Sequence, residues 1–329
     1  MYKLFLILLL VLLIYKYYNI ESYDNQFDKK IAIVTTVRNP HNFNDWLSYH
    51  YKFGIYKIYV VFDDPNENTL QYSHHGNKLN IILNDNEWKE NLKTCKQYNS
   101  HKNSFDDEVM SRQILNAEYV LKIAKIDMID WLIHIDADEI LYSNKYDDIS
   151  QSFSNLSNLS NIAKLSNYEI APLESNSNNC FRTHTYFKTK KAGSLYKAYY
   201  NGKGACKVSS DAYPFGVHDF KVDKYEIKQT FDENDLVILH YVNCSFNEWI
   251  NKYKLLGKFS DKWWNRRPIP LKFHKESRDI ITNNNIQFWQ NTARHLYNKE
   301  MLIDKDSVDN LISQKKLIKI DKVKNTLIS

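Results

Sequence analysis

The sequence is poor in glycine, proline and cysteine, and neither sign of charge dominates it. Seven glycines and six prolines are about 4% of the 329 residues, which excludes a collagen-like or low-complexity chain. The four cysteines form no C-x-x-C pair, which excludes a zinc knuckle or dithiol redox motif and leaves one or two disulfides possible in an oxidising compartment. Because 44 basic and 39 acidic residues are interleaved and leave a net charge of only +5, we expect no nucleic-acid partner. The 43% of apolar residues is enough for one large α/β domain or two ordinary ones.

The longest apolar run lies at the amino terminus. Leu4 to Tyr15 is uninterrupted and lies between Lys3 and Lys16. As a helix this run would span about 18 Å, less than the roughly 30 Å hydrocarbon core, so both lysines would have to extend to the headgroups. Bulky residues follow the run where signal peptidase requires small ones, which favours an uncleaved signal-anchor over a cleaved signal peptide or a buried helix. We therefore expect a single-pass membrane protein with its main domain on the lumenal or extracellular side.

Strand and helix patterns alternate in the first half of the remaining chain. Helical spacing predicts one helix that begins at Asn44 and a second helix over 107–126. Repeated β-α-β order with polar residues after the strands predicts an α/β fold with an open, mainly parallel sheet flanked by helices. Short apolar runs predict the strands of this half at residues 31–37, 55–62, 79–83 and 131–135.

The second half has weaker patterns. A helix is predicted over 147–161, and a capping box beginning at Ser245 precedes another at 249–259. The tail after Ser307 alternates leucine, isoleucine and lysine, which is typical of a basic amphipathic helix. Short strands are predicted at residues 169–172, 181–187 and 237–241.

Asp136 and Asp138 form the strongest chemical signal, because they directly follow the predicted strand 131–135. Carboxylates at positions i and i+2 of an extended segment project to the same side, where both can approach one divalent cation and the phosphate oxygens it carries. Such hard oxygen ligands favour Mg²⁺ or Mn²⁺ over zinc. Glu139 adds a third carboxylate that would repel the other two without a cation. The alternative is an ordinary acidic turn.

A second acidic pair, Asp63 and Asp64, ends the predicted strand 55–62. One of these carboxylates is expected to accept a hydrogen bond from a nucleotide base, and Thr35 and Arg38, after the first strand, to line the same crevice. The alternative is a solvated turn that uses Asp, Pro and Asn for local hydrogen bonds.

Two histidines and a lysine complete the candidate residues. His240 follows an apolar strand as Asp136 does, so its neutral imidazole is a candidate for a further ligand of the cation. For both His240 and His218 the alternative is a structural role. Lys203, in a predicted flexible loop that also holds Lys207, is a candidate to neutralise a diphosphate, the alternative being a solvated surface lysine.

Several of these stretches resemble glycosyltransferases of the GT-A fold, in particular the family 2-like group and glycosyltransferase family 92. Two departures concern the acceptor side: Asp45-Trp46 stands where relatives have Glu-Trp, and Arg38-Asn39-Pro40 where relatives often have Asn-Glu. The resemblance spans roughly residues 30 to 259. The segments that carry it are Ile31 to Asn39, Asp45 to Gly54, Val60 to Asp64, Asp130 to Glu139, Gly202-Lys203, Gly216 to His218, and His240 to Ser245.

The resemblance implies a nucleotide-sugar donor, a glycan, protein or lipid acceptor, and Mn²⁺ or Mg²⁺ held by Asp136, Asp138 and His240. An inverting enzyme would also need a carboxylate base, for which Asp219, Glu174 and Glu248 are available. Together with the amino-terminal run and the basic tail, this resemblance predicts a signal-anchor at 1–22, a GT-A domain at 23–300 and a basic helical tail at 301–329.

Two other functions remain open from the sequence. A metal-dependent phospho- or nucleotidyltransferase would use the same aspartates, although the chain has no G-x-x-x-x-G-K-[ST] loop. An inactive lumenal scaffold of the same fold is the other alternative. A lumenal domain would expose the sequons at Asn155 and Asn158 to glycosylation, whereas the sequon at Asn243, beside His240, is expected to stay bare.

Overall fold

The computed structural model describes residues 29–263, 265–283 and 286–329, which form a mixed α/β fold. The strands are β1 (Ile31–Val37), β2 (Lys57–Phe62), β3 (Leu79–Leu83), β4 (Trp131–His134), β5 (Glu139–Tyr142), β6 (Ile162–Ile170), β7 (Tyr186–Lys188), β8 (Lys203–Lys207), β9 (Ala212–Pro214), β10 (Phe220–Val222), β11 (Lys228–Thr230), β12 (Val237–His240) and β13 (Leu317–Lys319).

Helices connect and flank these strands. The α-helices are α1 (Phe43–Lys52), α2 (Asn86–Leu92), α3 (Tyr98–His101), α4 (Val109–Ile126), α5 (Ile149–Ser154), α6 (Cys180–Thr183), α7 (Phe246–Leu256), α8 (Lys272–Ile281), α9 (Ile286–Met301), α10 (Val308–Ser313) and α11 (Lys322–Ile328). The 3₁₀ helices are Leu70–Lys78, Lys102–Ser104, Lys190–Leu195 and Lys305–Ser307.

The first four strands form the parallel half of the sheet in the order β3, β2, β1, β4. All seven residues of β1 are buried, as expected for a parallel strand covered on both faces. Its side chains alternate between two cores: Ile31 and Ile33 pack on the face covered by Trp46 of α1, and Ala32 and Val34 on the opposite face. This half confirms the predicted β-α-β order and brings the carboxyl ends of β1, β2 and β4 to one edge.

The other half of the sheet mixes strand directions. β8 runs antiparallel to β4, and β6 antiparallel to β8. β12 then lies between β6, to which it is parallel, and β5, to which it is antiparallel. The mainly parallel sheet expected from the sequence is confirmed, and its second half adds antiparallel pairs to the parallel ones.

Residues 181–187, predicted as a strand, form a helical turn followed by a short strand. Asn179 caps α6 by accepting a hydrogen bond from the Arg182 amide, and Cys180 forms a disulfide with Cys244. The chain becomes extended only at β7. The prediction was wrong here because an N-cap and a distant covalent bond outweigh the local β propensity.

Residues 147–161, predicted as one helix, form only the short helix α5. Asp148 caps its start, and a turn follows it through the Asn155 and Leu156 amides. The chain then enters β6 at Ile162, seven residues earlier than the predicted strand 169–172.

The predicted helical tail contains a strand that its sequence pattern did not indicate. β13 pairs antiparallel with β7, and α11 then packs against α1 and α6. Val323 and Leu327 of α11 join the core that holds Trp46, and Lys52 Nζ donates to the Thr326 carbonyl oxygen at 2.8 Å. The first and last described helices are therefore neighbours.

The predicted signal-anchor at residues 1–22 lies outside the described residues. Within the described ranges, no helix combines the length and apolarity required to cross a bilayer. Of the four cysteines, Cys180 and Cys244 are bonded to each other, and Cys95 and Cys206 are free and buried.

Candidate active site

The two aspartates lie on a tight turn that joins β4 to β5 at the carboxyl edge of the parallel strands. The Glu139 amide donates to the Asp136 carbonyl oxygen at 3.1 Å, and the Asp136 amide donates to Glu139 Oε2 at 2.7 Å. Asp136 and Asp138 are 30% and 33% exposed, whereas Glu139 is fully buried. The turn therefore presents two carboxylates to solvent and uses the third to hold its own backbone.

Lys203 is the partner of Asp136. Its ammonium lies 2.7 Å from Asp136 Oδ2 and 3.5 Å from Glu139 Oε2, and its side chain is fully buried. Gln113 of α4 donates to the other oxygen, Asp136 Oδ1, at 2.7 Å. The prediction of a flexible loop around Lys203 is wrong, because this residue begins β8 and faces the aspartate turn from the neighbouring strand.

His240 and Lys252 converge on Asp138. His240 Nε2 lies 3.7 Å from Asp138 Oδ1, and Lys252 Nζ donates to Asp138 Oδ2 at 3.1 Å. His240 reaches this position because β12 pairs with β5 in a register that sets His240 opposite Glu139. The Tyr241 amide donates to the Asp138 carbonyl oxygen at 2.7 Å and closes the contact between the two segments.

The charges at this turn are set by burial and by the two lysines. Burial opposes ionisation of Asp136 and Asp138, but Lys203 and Lys252 outweigh it, so the pKa of each carboxyl is lowered. For Glu139, burial prevails over Lys203 and raises the pKa to about 7. Burial alone would lower the pKa of His240, but the Asp138 carboxylate raises it above its ordinary value.

Further buried rings surround the turn. The Tyr199 ring lies 4.3 Å from His218 and 4.8 Å from His240, centroid to centroid. Burial, followed by the charge of Lys203, lowers the pKa of His134 to about 3 and of His218 to about 2, so both imidazoles are neutral. Within the described structure, buried polar atoms here lack a hydrogen-bond partner: Glu139 Oε1, His240 Nδ1, His218 Nδ1, His134 Nε2 and the Tyr199 hydroxyl. Unpaired atoms at this density are typical of a site that holds a ligand or water.

Helix α1 positions the backbone of β5. Trp46 Nε1 donates to the Glu139 carbonyl oxygen at 2.6 Å, and His50 Nε2 accepts from the Leu141 amide at 3.2 Å. Because Nε2 accepts, Nδ1 must carry the proton that it donates to the Trp46 carbonyl oxygen at 2.8 Å. The Asp-Trp-x-x-Tyr-His stretch therefore supports the aspartate turn from behind.

The residues predicted to line the nucleotide crevice have different environments. Both oxygens of the Asp63 carboxylate bind Arg112, at 2.5 and 3.0 Å, and Asp64 Oδ1 accepts from the Asn66 amide in a local turn. Thr35 is fully buried, and its hydroxyl has no partner among the described residues. Arg38 is exposed.

The three carboxylates considered as the base also have different environments. Asp219 is paired with Lys228 at 2.7 Å and Lys164 at 3.6 Å, and Glu174 is exposed. Glu248 lies on α7, one turn before Lys252, and burial, only partly offset by His41, raises the pKa of its carboxyl. Glu248 is therefore the candidate that shares an element with a residue of the aspartate turn.

The described ranges contain no group of three or more His, Cys, Asp or Glu side chains placed so that it could hold a metal ion. Of the three predicted ligands, Asp138 and His240 lie close to each other, whereas the Asp136 carboxylate is paired with Lys203. Sequence reasoning did not identify Lys252, Gln113 or Tyr199. The one available signal was that Lys252 follows Glu248 by four residues, which places both on one helix face.

The chain matches no protein-family model. A curated Arabidopsis thaliana protein named as glycosyltransferase-like is 21% identical over 297 residues, covering 79% of this chain and 57% of the relative. The chain thus spans little more than half the length of that relative. The protein is therefore distantly similar in sequence to a glycosyltransferase-like protein.

Two solved structures also align with parts of the chain. A CMP:2-keto-3-deoxy-manno-octonic acid synthetase complexed with CTP is 12% identical, with 55% of this chain and 75% of that chain covered and a TM-score of 0.24. Apo mouse xyloside xylosyltransferase 1 is 11% identical, with coverages of 42% and 52% and a TM-score of 0.25. Scores this low do not establish a shared fold, so neither alignment carries an argument.

Proposed function

We propose that this protein is a membrane-anchored, metal-dependent glycosyltransferase of GT-A type that transfers a sugar from a nucleotide-sugar donor to a glycan, protein or lipid acceptor. The observation that carries the proposal is the partly exposed Asp136–Asp138 turn at the carboxyl edge of β4, with His240 beside it. Ligands of open α/β sheets bind at this edge. The distant similarity to a glycosyltransferase-like protein supports the same function.

The donor atoms of the turn fit Mn²⁺ or Mg²⁺. Asp138 and His240 offer a carboxylate oxygen and an imidazole nitrogen 3.7 Å apart, and Asp136, held by Lys203, would add a second carboxylate. A bound divalent cation would neutralise the donor diphosphate and the charge on the departing nucleotide.

The two lysines have separate tasks in this proposal. Lys203, being fully buried, keeps Asp136 ionised and fixed to the sheet. Lys252 is 38% exposed, so its ammonium can turn from Asp138 to a phosphate oxygen when the donor enters. Positive charge therefore remains beside the diphosphate throughout the reaction.

Glu248 is the base we assign. Its carboxylate lies 3.6 Å from His41, and its side chain is 27% exposed on the helix that carries Lys252, so it borders the open side of the turn. A carboxylate at this position can accept the proton of an acceptor hydroxyl as it attacks the sugar.

The membrane anchor and the lumenal placement remain part of the proposal. The Cys180–Cys244 disulfide supports an oxidising compartment, because such bonds are rare in reducing ones.

The substitution Asp138→Asn tests the function. Mn²⁺-dependent hydrolysis of nucleotide sugars should fall by at least about 100-fold, because a charged ligand is lost while its shape is kept. Asp130→Asn is the matched control, since Asp130 lies at the other end of the same strand and is exposed.

Unchanged turnover in Asp138→Asn, with the circular-dichroism spectrum of the parent, would overturn the assignment. Release of a phosphorylated acceptor without free sugar would identify a phosphotransferase instead, and no turnover with any of a panel of nucleotide sugars would identify a scaffold.

A further inference from the structure

One edge of the molecule carries a set of large apolar side chains that are open to solvent. We call this set the base surface. Tyr225 is 90% exposed, Ile126 80% and Met128 71%. Scattered apolar residues are common on protein surfaces, but a contiguous apolar patch marks an interaction site. The base surface consists of Tyr56, Ile126, Met128, Leu159, Tyr225 and Ile227.

The topology of the sheet brings these residues together. Tyr56 directly precedes β2, Met128 lies shortly before β4, and Ile227 directly precedes β11. The parallel strands β2 and β4 begin at the same edge, and β11 pairs with β6 at its start, where Lys228 is opposite Ile162. β8 links the two groups, because it pairs with β4 on one side and β6 on the other.

Hydrogen bonds connect the residues before β11 to the start of β4 by way of Asn161 and β8. The side chain of Asn161 donates to the Tyr225 carbonyl oxygen at 2.7 Å and accepts from the Ile227 amide at 2.9 Å. The Lys207 amide donates to the Asn161 carbonyl oxygen, and Lys207 is opposite Trp131 at the start of β4. The base surface is therefore one connected face at the amino edge of β4, opposite the aspartate turn.

Lysines surround this face. Lys30 lies with its ammonium 5.1 Å from the centre of the Tyr56 ring, and Lys207 donates to the carbonyl oxygen of Asn158, next to Leu159. Lys125 and Lys224 are exposed beside Ile126 and Tyr225. None of these four lysines forms an ion pair with a carboxylate of the described residues. Two exposed carboxylates, Asp130 and Glu226, lie on the same face and accept hydrogen bonds from the Lys30 and Val222 amides. Exposed apolar side chains with unpaired lysines among them match a lipid surface, where the rings and aliphatic chains enter the headgroup region and the ammonium groups bind lipid phosphates.

The path of the chain points to the same occupant. Lys29 and Lys30 enter β1 at this edge, and the predicted anchor ends at residue 22. Six residues span at most about 20 Å, so the edge that holds the base surface is kept close to the bilayer that receives the anchor.

We infer that the base surface lies on the lipid bilayer, an inference that rests on the proposed membrane anchor. The strands then stand away from the membrane, and the aspartate turn faces the aqueous side, roughly 23 Å above the base for a seven-residue strand such as β1. Donor and acceptor reach the site from solution.

Spin labels test this placement in the full chain reconstituted into phosphatidylcholine vesicles that contain phosphatidylserine. Tyr225→Cys carries a label in the base surface. Leu70→Cys is the matched control, because Leu70 is 80% exposed and its neighbour Tyr72 packs on Phe62 at the carboxyl end of β2. Cys95 and Cys206 are buried, so the introduced cysteines are labelled selectively.

The ratio of collisions with oxygen to collisions with a water-soluble nickel chelate is the readout. For the label at position 225 this ratio should rise severalfold on reconstitution, and for the label at position 70 it should stay at its aqueous value. Protein that floats with vesicles but has equal ratios at both positions would overturn the inference and leave the anchor intact.

Protein that does not float with vesicles would overturn the anchor and the base surface together. A glycan found on Asn158 would also contradict the inference, because it would hold Leu159 away from the lipid. The glycosyltransferase assignment is unaffected by either result, since Asp138→Asn tests it separately.

Discussion

Glu248 and Lys252 occupy one face of α7, yet their predicted roles differ, and substitution separates them. Glu248→Gln keeps the shape of the side chain and removes the proton acceptor, so transfer to an acceptor should fall by roughly 100-fold or more. Binding of the nucleoside diphosphate should change little, which calorimetry can measure.

The control for this variant is Glu276→Gln, at a partly exposed carboxylate that pairs with Lys272 on the neighbouring helix α8. Equal loss of donor binding and transfer in Glu248→Gln would show that Glu248 positions the donor and would remove it as the base.

His50 makes the stability of the fold depend on pH. Burial lowers the pKa of its imidazole to about 3, against 6.5 in an unfolded chain. As pH falls below 6.5, the unfolded chain binds a proton that the folded protein does not, so His50 removes up to about 1.4 kcal/mol of stability per pH unit, down to pH 3.

The contribution of His50 is measured by denaturant unfolding at pH 7 and pH 5. His50→Gln should be less stable than the parent at pH 7 and lose less stability between the two pH values. His74→Gln, at an exposed histidine, should follow the parent curve. A parent slope retained by His50→Gln would contradict this account.

Local sequence indicated Asp136, Asp138 and His240 as candidates because each lies at the end of an apolar strand, and β4 and β12 confirm those strands. It could not locate Lys252, whose contact with Asp138 joins residues 114 positions apart in the chain. Such a contact depends on how α7 packs against the β4–β5 turn, which no local pattern encodes. The same holds for the Arg112 that occupies the Asp63 carboxylate, 49 positions away.

At the scale of elements, the amino-terminal end of α7 is important for the site, because this helix carries Glu248 and Lys252. Ser245 caps it by accepting from the Glu248 amide at 3.2 Å. Ser245→Ala should lower the free energy of unfolding by about 1 kcal/mol and, by loosening the first turn, displace Glu248. Thermal unfolding and transfer rate measure the two effects.

Ser307→Ala is the matched control for the cap, because Ser307 precedes α10 without a capping bond from its side chain. Loss of stability equal to that of the control would mean that the Ser245 cap contributes nothing measurable.

Elements with strong periodicity were predicted within a few residues. β1 and β3 have the predicted bounds, since continuous apolar runs between turn residues leave little choice. α6 and β13 were not predicted: Cys180 pairs with a cysteine 64 residues away, and β13 extends only because β7 offers it an edge. Tertiary contacts decided these segments, and propensity did not.

At the scale of the whole molecule, the Cys180–Cys244 bond ties α6 to the segment that follows β12. Replacing both cysteines by serine should cost about 4 kcal/mol of stability, the loop entropy for a separation of 64 residues. Chemical unfolding with and without dithiothreitol measures this. The reductant should destabilise the parent and leave the double variant unchanged, and an equal response of both would exclude the bond from the folded protein.

Glycosylation reports on the orientation of the whole chain. Asn155 is exposed and should carry a glycan if the domain is lumenal, whereas Asn243 is buried and should stay bare. Expression in a eukaryotic secretory system and glycosidase digestion measure this. The shift should vanish in Asn155→Gln and persist in Asn243→Gln, while a protein without any glycan would contradict the lumenal placement.

The contact between α1 and α11 also governs how the protein is made. A ribosome adds about 5 to 20 residues per second, so the 274 positions from Lys52 to Thr326 take roughly 14 to 55 s to synthesise. During that time the side of α1 that α11 will cover stays open to chaperones. A chain truncated before Lys322 would keep every residue of the aspartate turn and its partners but would lack Val323 and Leu327, which complete the core on this side of α1.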